Sequence, residues 1–176
     1  MDELYHHGVK GQRWGVRRYQ NYDGTRINTY SHYDADSAND IYKSLNAHDK
    51  KLVSGRDDPP EEYTNPKEMK QYNAFSLTKK HKGVPVAQFD AWRENENDLA
   101  VSVMTRSGDK YRGQGHASDV VQRGMKWIEK QNYDWVYWDV YESNDPSIKL
   151  AKKMGFEYLR DNRDNPAWKM YVKKLK

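Results

Sequence analysis

Apolar and polar residues alternate along three neighbouring stretches in the middle of the chain. These stretches are 73–79, 84–92 and 98–105, and the short polar links between them contain Gly83 in one case and the run 94–98 in the other. Alternation with a period of two, broken by short turns, is typical of strands that pair with their sequence neighbours. The pattern therefore predicts an antiparallel meander of three strands.

Other stretches repeat their apolar residues at helical spacing, which predicts amphipathic helices over 34–48 and 117–131. The apolar face comprises Ala35, Ala38, Ile41, Tyr42 and Leu45 in the first helix and Ala117, Val120, Val121, Gly124, Trp127 and Ile128 in the second. A shorter helix is predicted to begin with Asp145 as its N-cap and Pro146 at its first helical position. Each helix is expected to pack its apolar face on a sheet.

The remaining strand candidates lie in the last third of the chain. The run 134–141 is dense in aromatic and β-branched residues, which favours a central strand whose rings are mostly core, with one of them lining a groove. Segments 157–160 and 167–175 are two further strands. The predicted order of three strands, a glycine-rich loop, a helix, a strand, a helix and two strands indicates an α+β domain with a mixed sheet.

The first part of the chain has a different character. Residues 1–33 are rich in Gly, Arg and Tyr and keep no regular period, so we interpret them as an irregular N-terminal segment. Residues 34–176 are interpreted as a single domain. Within it, the charged stretch 50–70 with its three prolines is expected to be a long surface loop that carries at most a short helical piece.

Composition and charge restrict the kind of protein. The 176 residues carry a net charge of +4, with 14 Tyr, 6 Trp, 3 Phe and no Cys. The aromatic rings can supply a modest core, and the lack of cysteine excludes disulfides, thiol catalysis and cysteine-bound metal. No apolar run approaches the roughly 20 residues of a membrane span. We therefore expect a cytoplasmic protein with no metal, no membrane contact and no nucleic-acid partner.

Candidate chemistry begins at the glycine loop. Residues 112–117 lead from a loop into a helix N-terminus, where free backbone N–H groups and the helix dipole favour an anion such as a pyrophosphate. The loop is not a P-loop, because no Lys-Ser or Lys-Thr pair follows Gly115, and it lacks the third glycine of the dinucleotide fingerprint. On its own, a glycine before a helix is more often explained as simple turn chemistry.

A second segment, 144–156, changes this interpretation. It contains Asn-x-x-Ser at a helix start and ends in Gly-Phe, about thirty residues after the Arg-x-x-Gly-x-Ala of the glycine loop. The two motifs in this order resemble the GNAT N-acetyltransferase superfamily over 71–175, most closely in a cofactor core over 98–160. The resemblance implies a mixed, mostly antiparallel sheet flanked by helices, with a V-shaped slot for acetyl-CoA between two strands.

The resemblance also implies roles for individual residues. The strand backbone at Val103, Met104 and Thr105 would pair with the pantetheine arm of acetyl-CoA. The backbone of the glycine loop would hold the pyrophosphate through Arg112, Gly113, Gln114, Gly115, His116, Ala117 and Ser118. Asn144 and Ser147 would contact the pantetheine, although both are equally suited to capping the short helix.

The implied reaction is direct attack of a primary amine on the thioester. Many members place a tyrosine, as general acid, seven residues after the Asn, but Ala151 stands there in this chain. The catalytic candidates are Tyr141, Glu142, Asp139 and Glu94, with Asp90 on the same hairpin as Glu94; for each acid the alternative is a solvated surface role. The acceptor can be a protein, a peptide or a small molecule, and the rival hypothesis is a non-catalytic CoA-binding or protein-interaction module.

The N-terminal stretch 6–21 has its own resemblance. Its sequence, HHGVKGQRWGVRRYQN, resembles a segment found on phage structural and morphogenesis proteins. This implies a phage or prophage origin, a location in the host cytosol and docking of residues 1–34 to a phage or host protein. A virion or assembly component is the third hypothesis.

Overall fold

The computed structural model describes residues 28–32, 35–54 and 73–176 of the chain. The phage-like stretch 6–21 and most of the predicted charged loop lie outside the described residues. None of the described helices is long and apolar enough to cross a membrane.

The described residues form seven strands and four helices. In chain order they are β1 (Asn28–His32), α1 (Ala35–Lys43), α2 (Ala47–Ser54), β2 (Asn73–His81), β3 (Val84–Arg93), β4 (Asp98–Thr105), α3 (His116–Ile128), β5 (Trp135–Tyr141), α4 (Asp145–Lys153), β6 (Glu157–Asp161) and β7 (Trp168–Lys174). From β2 onward this order is the predicted one. The mixed α+β fold is therefore confirmed.

All seven strands belong to one sheet in the order β1-β2-β3-β4-β5-β7-β6. The neighbouring pairs are antiparallel except β4 and β5, which run parallel. These two strands pair only where 98–100 meets 135–137. Beyond that point β4 stays with β3 and β5 stays with β7, so the two central strands part and leave a V-shaped gap.

The core lies on the sheet face that α3 and α4 cover. Val136, Trp138 and Val140 of β5 point into it and pack with buried residues of α3 and with Ala151 of α4. On the opposite face α1 packs against β4 through a small cluster that includes Met104. Helices thus pack on both faces of the sheet.

Two predictions for the N-terminal region are wrong. Residues 28–32, interpreted as irregular, form the edge strand β1, because a long-range ladder from Asn28 with His81 to His32 with Leu77 holds them on β2. The single helix predicted over 34–48 ends at Lys43, and α2 begins after Asn46. Asn46 caps α2, since its side-chain oxygen accepts a hydrogen bond from the Asp49 N–H at 2.8 Å.

Candidate active site

A cavity of about 420 Å³ lies at the gap between β4 and β5. We call it the glycine-loop cavity, and its walls are the end of β4, the glycine loop, the start of α4 and the α1–α2 corner. It is lined by Leu45, His48, Asp49, Leu52, Val103, Met104, Thr105, Arg106, Ser107, Tyr111, Arg112, Gly113, Gly115, His116, Ala117, Ser143, Asn144, Pro146, Ser147 and Leu150. The residues predicted to hold the cofactor are therefore brought together, except Gln114 and Ser118, which do not line the cavity.

The glycine loop leaves backbone groups open to this cavity. Gly113 and Gly115 have φ angles of 70° and 73°, a left-handed conformation that side chains disfavour. A Cβ atom built at either glycine would meet no protein atom within 4 Å, so the missing side chains leave space. Gly115 is the N-cap of α3 and supplies no side-chain cap. The first N–H groups of the helix and the positive end of its dipole are thus suited to an anion.

His116 opens α3 at the edge of the same cavity. Its side chain is buried, and its ring lies 5.6 Å from the ring of His81. Burial lowers the pKa of His116, and the nearby charges of Lys79 and His81 lower it further, while Asp119 opposes them. The imidazole is therefore neutral at neutral pH, and its Nδ1 atom has no hydrogen-bond partner among the described residues.

Two ion pairs hold the α1–α2 corner over the cavity. The Arg112 guanidinium lies 2.5 Å from a carboxylate oxygen of Asp49, and Ser107 Oγ donates a hydrogen bond to the same oxygen at 2.6 Å. Arg106 pairs with Asp40 of α1 at 2.7 Å. Sequence reasoning missed Asp40 and Asp49, because their partners lie about sixty residues away and no local pattern marks them. Because the Arg112 guanidinium is paired with Asp49, the backbone N–H groups of the loop are the main element that could bind an anion here.

Asn144 and Ser147 lie side by side at the start of α4. The N-cap is Asn144, so the prediction of Asp145 as cap is wrong by one residue. The Oδ1 atom of Asn144 accepts a hydrogen bond from the Ser147 N–H at 3.3 Å. A helix N-cap needs a side-chain oxygen that accepts a hydrogen bond from a free backbone N–H of the first turn, and Asn supplies one as well as Asp does. The cap uses only the carbonyl oxygen of the Asn144 side chain and leaves its NH2 group for another partner. The two roles predicted for Asn144, capping the helix and contacting the pantetheine, are therefore both compatible with its position in the cavity wall.

A second cavity of about 660 Å³ lies on the face of the sheet opposite the main core, beside the point where β4 and β5 part. We call it the acidic cavity. It is lined by Trp92, Glu94, Asn95, Asp98, Ala100, Val101, Ser102, Tyr137, Asp139, Leu159, Arg160, Asn162, Trp168 and Met170. Two predicted catalytic candidates, Glu94 and Asp139, therefore meet in one cavity, and Tyr137 is the ring of the β5 aromatic run that lines it.

The pKa of Asp139, a carboxylate of this cavity, departs from its ordinary value. The Asp139 side chain is exposed to solvent, and its partial burial by the surrounding protein still raises its pKa above the ordinary value. A hydrogen bond from Asn162 Nδ2 at 3.1 Å and the charge of Arg160 oppose the rise, while the negative charge of Glu94 adds to it. A carboxylate with a raised pKa is a stronger base than one with the ordinary pKa, so this position suits proton transfer.

The other candidates have different surroundings. Tyr141 packs edge-on against Trp168, with ring centroids 5.6 Å apart, and Glu142 pairs with Lys169 at 3.4 Å. Asp90 is buried and accepts hydrogen bonds from Ser76 and Gln88, so its carboxylate serves to stabilise the fold. None of these three candidates lines the glycine-loop cavity or the acidic cavity.

The described residues define a class of protein, namely a mixed α+β domain whose two central strands separate beside a glycine loop that opens a helix. The family model of the GNAT acetyltransferase domain matches residues 11–157. The chain therefore belongs to the GNAT acetyltransferase family, whose members use acetyl-CoA. The match begins at residue 11, inside the segment 1–33 that we separated from the domain because of its different composition.

Solved structures show the same fold. The GNAT domain of S. lividans PAT superposes with a TM-score of 0.69 at 15% identity, covering 86% of this chain and 92% of that one. The ribosomal-protein-S18-alanine N-acetyltransferase from Escherichia coli gives 0.63 at 14% identity, with 85% and 95% covered. The yncA protein from Salmonella typhimurium, solved with its cofactor acetyl-CoA, gives 0.62 at 12% identity, with 86% and 95% covered.

No curated protein sequence matches the chain significantly. At these low identities the structural matches establish the fold and leave the acceptor open. The resemblance of the N-terminal stretch to phage proteins finds no support among these relatives. It stays a prediction, as do the docking of residues 1–34 and the location in the cytosol.

Proposed function

We propose that this chain is an acetyl-CoA-dependent N-acetyltransferase that transfers the acetyl group to a primary amine by direct attack. The observation that carries the proposal is the arrangement of the glycine-loop cavity and the acidic cavity along one strand. Residues 103–107 of β4 and the loop after it line the first cavity, and residues 100–102 line the second. A donor in one cavity and an acceptor in the other would meet at the gap between β4 and β5.

The residues of the glycine-loop cavity fit acetyl-CoA. The N–H groups at Gly113, Gly115 and the first turn of α3 would hold the pyrophosphate, in the space that a Cβ atom would fill. Asn144 and Ser147 would contact the amide groups of the pantetheine, because a neutral amide and a hydroxyl satisfy such groups without burying a charge. When bound, acetyl-CoA supplies an acetyl group activated as a thioester.

The edge of β4 that faces the gap would stabilise the charge that develops on the carbonyl oxygen. From Val101 to Thr105 this edge has no β5 partner among the described strands. A backbone N–H in this segment, at Val103 or Thr105, is therefore available as an oxyanion donor. The Met104 N–H points to β3, as does that of Arg106, which donates to Val86. Such a donor is fixed before the reaction and needs no reorganisation, which is the main source of its effect.

Asp139 is the residue that we assign as general base. An amine is protonated at neutral pH and must lose a proton before it can attack. Asp139 lines the acidic cavity and has a raised pKa, so it can accept that proton and pass it to solvent. Glu94 raises the pKa of Asp139 through its charge and is the second acidic residue at this end of the cavity.

A second candidate function is a CoA-binding module without turnover. The observation that favours it is Ala151, which is fully buried in the core at the position where many family members carry a tyrosine acid. In this chain no hydroxyl at that position can protonate the leaving thiolate. Water would have to serve instead, so slow turnover or none is the expected consequence.

A turnover assay separates the two functions. The purified chain is incubated with acetyl-CoA and a panel of peptides and aliphatic amines, and free thiol and acetylated amine are both measured, the latter by mass spectrometry. We expect acetylated product, and we expect Asp139→Asn to lower kcat by about 10²- to 10⁴-fold. Glu129→Gln removes the same charge from the far end of α3 and should leave kcat unchanged. Tight acetyl-CoA binding without any product would contradict the enzyme proposal and support the binding module.

A further inference from the structure

We propose that the acidic cavity binds a linear polycationic amine, and that this amine is the acetyl acceptor. The inference rests on the proposed function and deepens it, because it names a substrate class. Four features of the cavity support it, namely the charge of its walls, their aromatic surface, the spacing of the carboxylates and its position beside the gap.

The cavity is negative in a chain that is positive as a whole. Its walls carry three carboxylates, Glu94, Asp98 and Asp139, against one cation, Arg160, whereas the net charge of the chain is +4. Within the described part of the chain, no lysine, arginine or histidine forms an ion pair with any of the three carboxylates. Two negative charges are therefore left for a ligand to neutralise, which favours a ligand with more than one positive charge.

Neutral donors hold the three carboxylates in place. Trp92 Nε1 donates to Glu94 at 2.9 Å, Asn95 Nδ2 donates to Asp98 at 2.7 Å, and Asn162 Nδ2 donates to Asp139. Because each donor is neutral, it holds one carboxylate oxygen in place without cancelling the negative charge of the group. The carboxylates are thus oriented before a ligand arrives, which lowers the cost of binding an ammonium group.

Aromatic rings line the space between the charges. Trp92, Tyr137 and Trp168 all contribute to the cavity wall, and none of the three is fully exposed. The face of an aromatic ring attracts a cation and also packs against methylene groups. A chain of methylenes that carries ammonium groups matches both properties, whereas a neutral ligand leaves the carboxylates unpaired and an anionic ligand is repelled by them.

The carboxylates are spread along the cavity. Asp98 pairs in register with Trp135, which precedes Asp139 on β5 by four residues. At about 3.3 Å per residue, Asp98 and Asp139 are about 13 Å apart along the strand direction. A single ammonium group cannot reach both, so the spacing favours an extended ligand with charges near its two ends. Spermidine has this form and is the probe that we choose.

One end of such a ligand would reach the gap. Asp139 lies on β5 beyond the last β4–β5 pair, on the side where the strands part, while Asp98 lies at the paired end. The amine near Asp139 is therefore the one to be acetylated. Its nitrogen forms a bond to the acetyl carbon as the carbon–sulfur bond breaks. One ammonium proton goes to Asp139 and then to solvent, and a second neutralises the thiolate to give the free thiol.

Calorimetric titration of the chain with spermidine, in the absence of acetyl-CoA, tests the inference. We expect saturable binding that weakens as salt is added, and at least tenfold weaker binding of butylamine, which carries one charge. Glu94→Gln and Asp139→Asn keep their hydrogen-bond acceptors and should each weaken spermidine binding about 5- to 10-fold. Glu129→Gln should bind spermidine as the wild-type chain does.

Parallel titrations separate this inference from the proposed function. If acetyl-CoA binds and spermidine does not, or if the cavity variants bind spermidine like wild type, the inference is overturned and the proposed function stands. If a short peptide with two lysines binds in the same carboxylate-dependent way and excludes spermidine, the polycation class is supported and its source is a protein. Acetylation of spermidine at one terminal nitrogen, lost in Asp139→Asn, would support both the inference and the proposed function.

Discussion

Asn144 combines a structural contact with a position in the proposed cofactor site. Its carbonyl oxygen caps α4, and the residue lies in the wall of the glycine-loop cavity. The two roles use different atoms, because the cap needs an acceptor and a cofactor amide can use the donor on the same side chain. A substitution can therefore remove one role and keep the other.

Asn144→Ala and Asn144→Asp should have different effects. The alanine variant loses the cap, so we expect the free energy of unfolding to fall by about 0.5–2 kcal/mol, together with a loss of acetyl-CoA affinity of about 1–3 kcal/mol. The aspartate variant keeps the cap and removes the donor, so its stability should hold while its affinity falls. Chemical denaturation and calorimetry measure the two quantities. An aspartate variant that binds acetyl-CoA like wild type would make Asn144 a cap alone.

Among single residues, those in local motifs could be predicted and those in long-range pairs could not. Gly113, Gly115 and Asn144 stand in short segments whose spacing carries the information. Asp49 reaches Arg112 only because α2 folds over the glycine loop, and no pattern around residue 49 announces this contact. The shift of the α4 cap from Asp145 to Asn144 follows from two adjacent residues with the same capping ability.

The contact between α3 and β3 is closer than side chains usually permit. Gly124 of α3 faces Phe89 of β3, and a Cβ atom built on Gly124 would lie 2.2 Å from the ring. Phe89 is fully buried, so its ring cannot move into solvent. The glycine thus lets the helix lie close to the sheet, which fixes the height of the α3 N-terminus above the gap.

Gly124→Ala should destabilise the domain. Alanine is the better helix former by about 1 kcal/mol, but the clash with Phe89 outweighs this, and we expect a net loss of about 1–3 kcal/mol in the free energy of unfolding. Gln122→Ala on the exposed face of the same helix controls for helix propensity. Adding Phe89→Leu should recover part of the loss. A Gly124→Ala chain as stable as wild type would show that the helix can move away from the sheet at little cost.

A polar cluster anchors the edge strand β1 to α3. The Tyr30 hydroxyl donates a hydrogen bond to Asp119, Lys79 pairs with the same carboxylate at 2.7 Å, and the Arg123 guanidinium lies 4.0 Å from the centre of the Tyr30 ring. Burial raises the pKa of Tyr30 to about 12, with the bond to Asp119 as the next cause. The folded state therefore favours the neutral phenol.

This cluster predicts a loss of stability in alkali. Tyrosine has an ordinary pKa of about 10, so the contribution of Tyr30 is fully present below pH 10 and is lost as the pH rises through about 12. Denaturation of wild type and Tyr30→Phe at a series of pH values measures it. The stability difference between the two chains should shrink between about pH 10 and 12. A difference that stays constant over this range would contradict the raised pKa.

For the whole molecule, local patterns predicted the strands from β2 onward, and short connections join the hairpins β2–β3, β3–β4 and β6–β7. The strand β1 was not predicted, since only a ladder with β2, more than forty residues later, gives it order. The acidic cavity could not be located from the sequence either. Its walls come from the β3–β4 hairpin, the middle of β5 and the β6–β7 hairpin, although Asp139 could be named as a candidate from its place on a strand and Glu94 from its place on a hairpin.

Calorimetric titration with acetyl-CoA tests the central claim most directly, because donor binding in the glycine-loop cavity precedes every other proposal. We expect the wild-type chain to bind with a dissociation constant on the order of micromolar. Gly115→Glu, which places bulk and negative charge at the helix N-terminus, should lose at least about tenfold in affinity. Gln122→Glu adds the same charge on the exposed face of α3, outside the glycine-loop cavity, and should bind nearly as wild type does. No wild-type binding at millimolar acetyl-CoA, or equal binding by Gly115→Glu, would contradict the account.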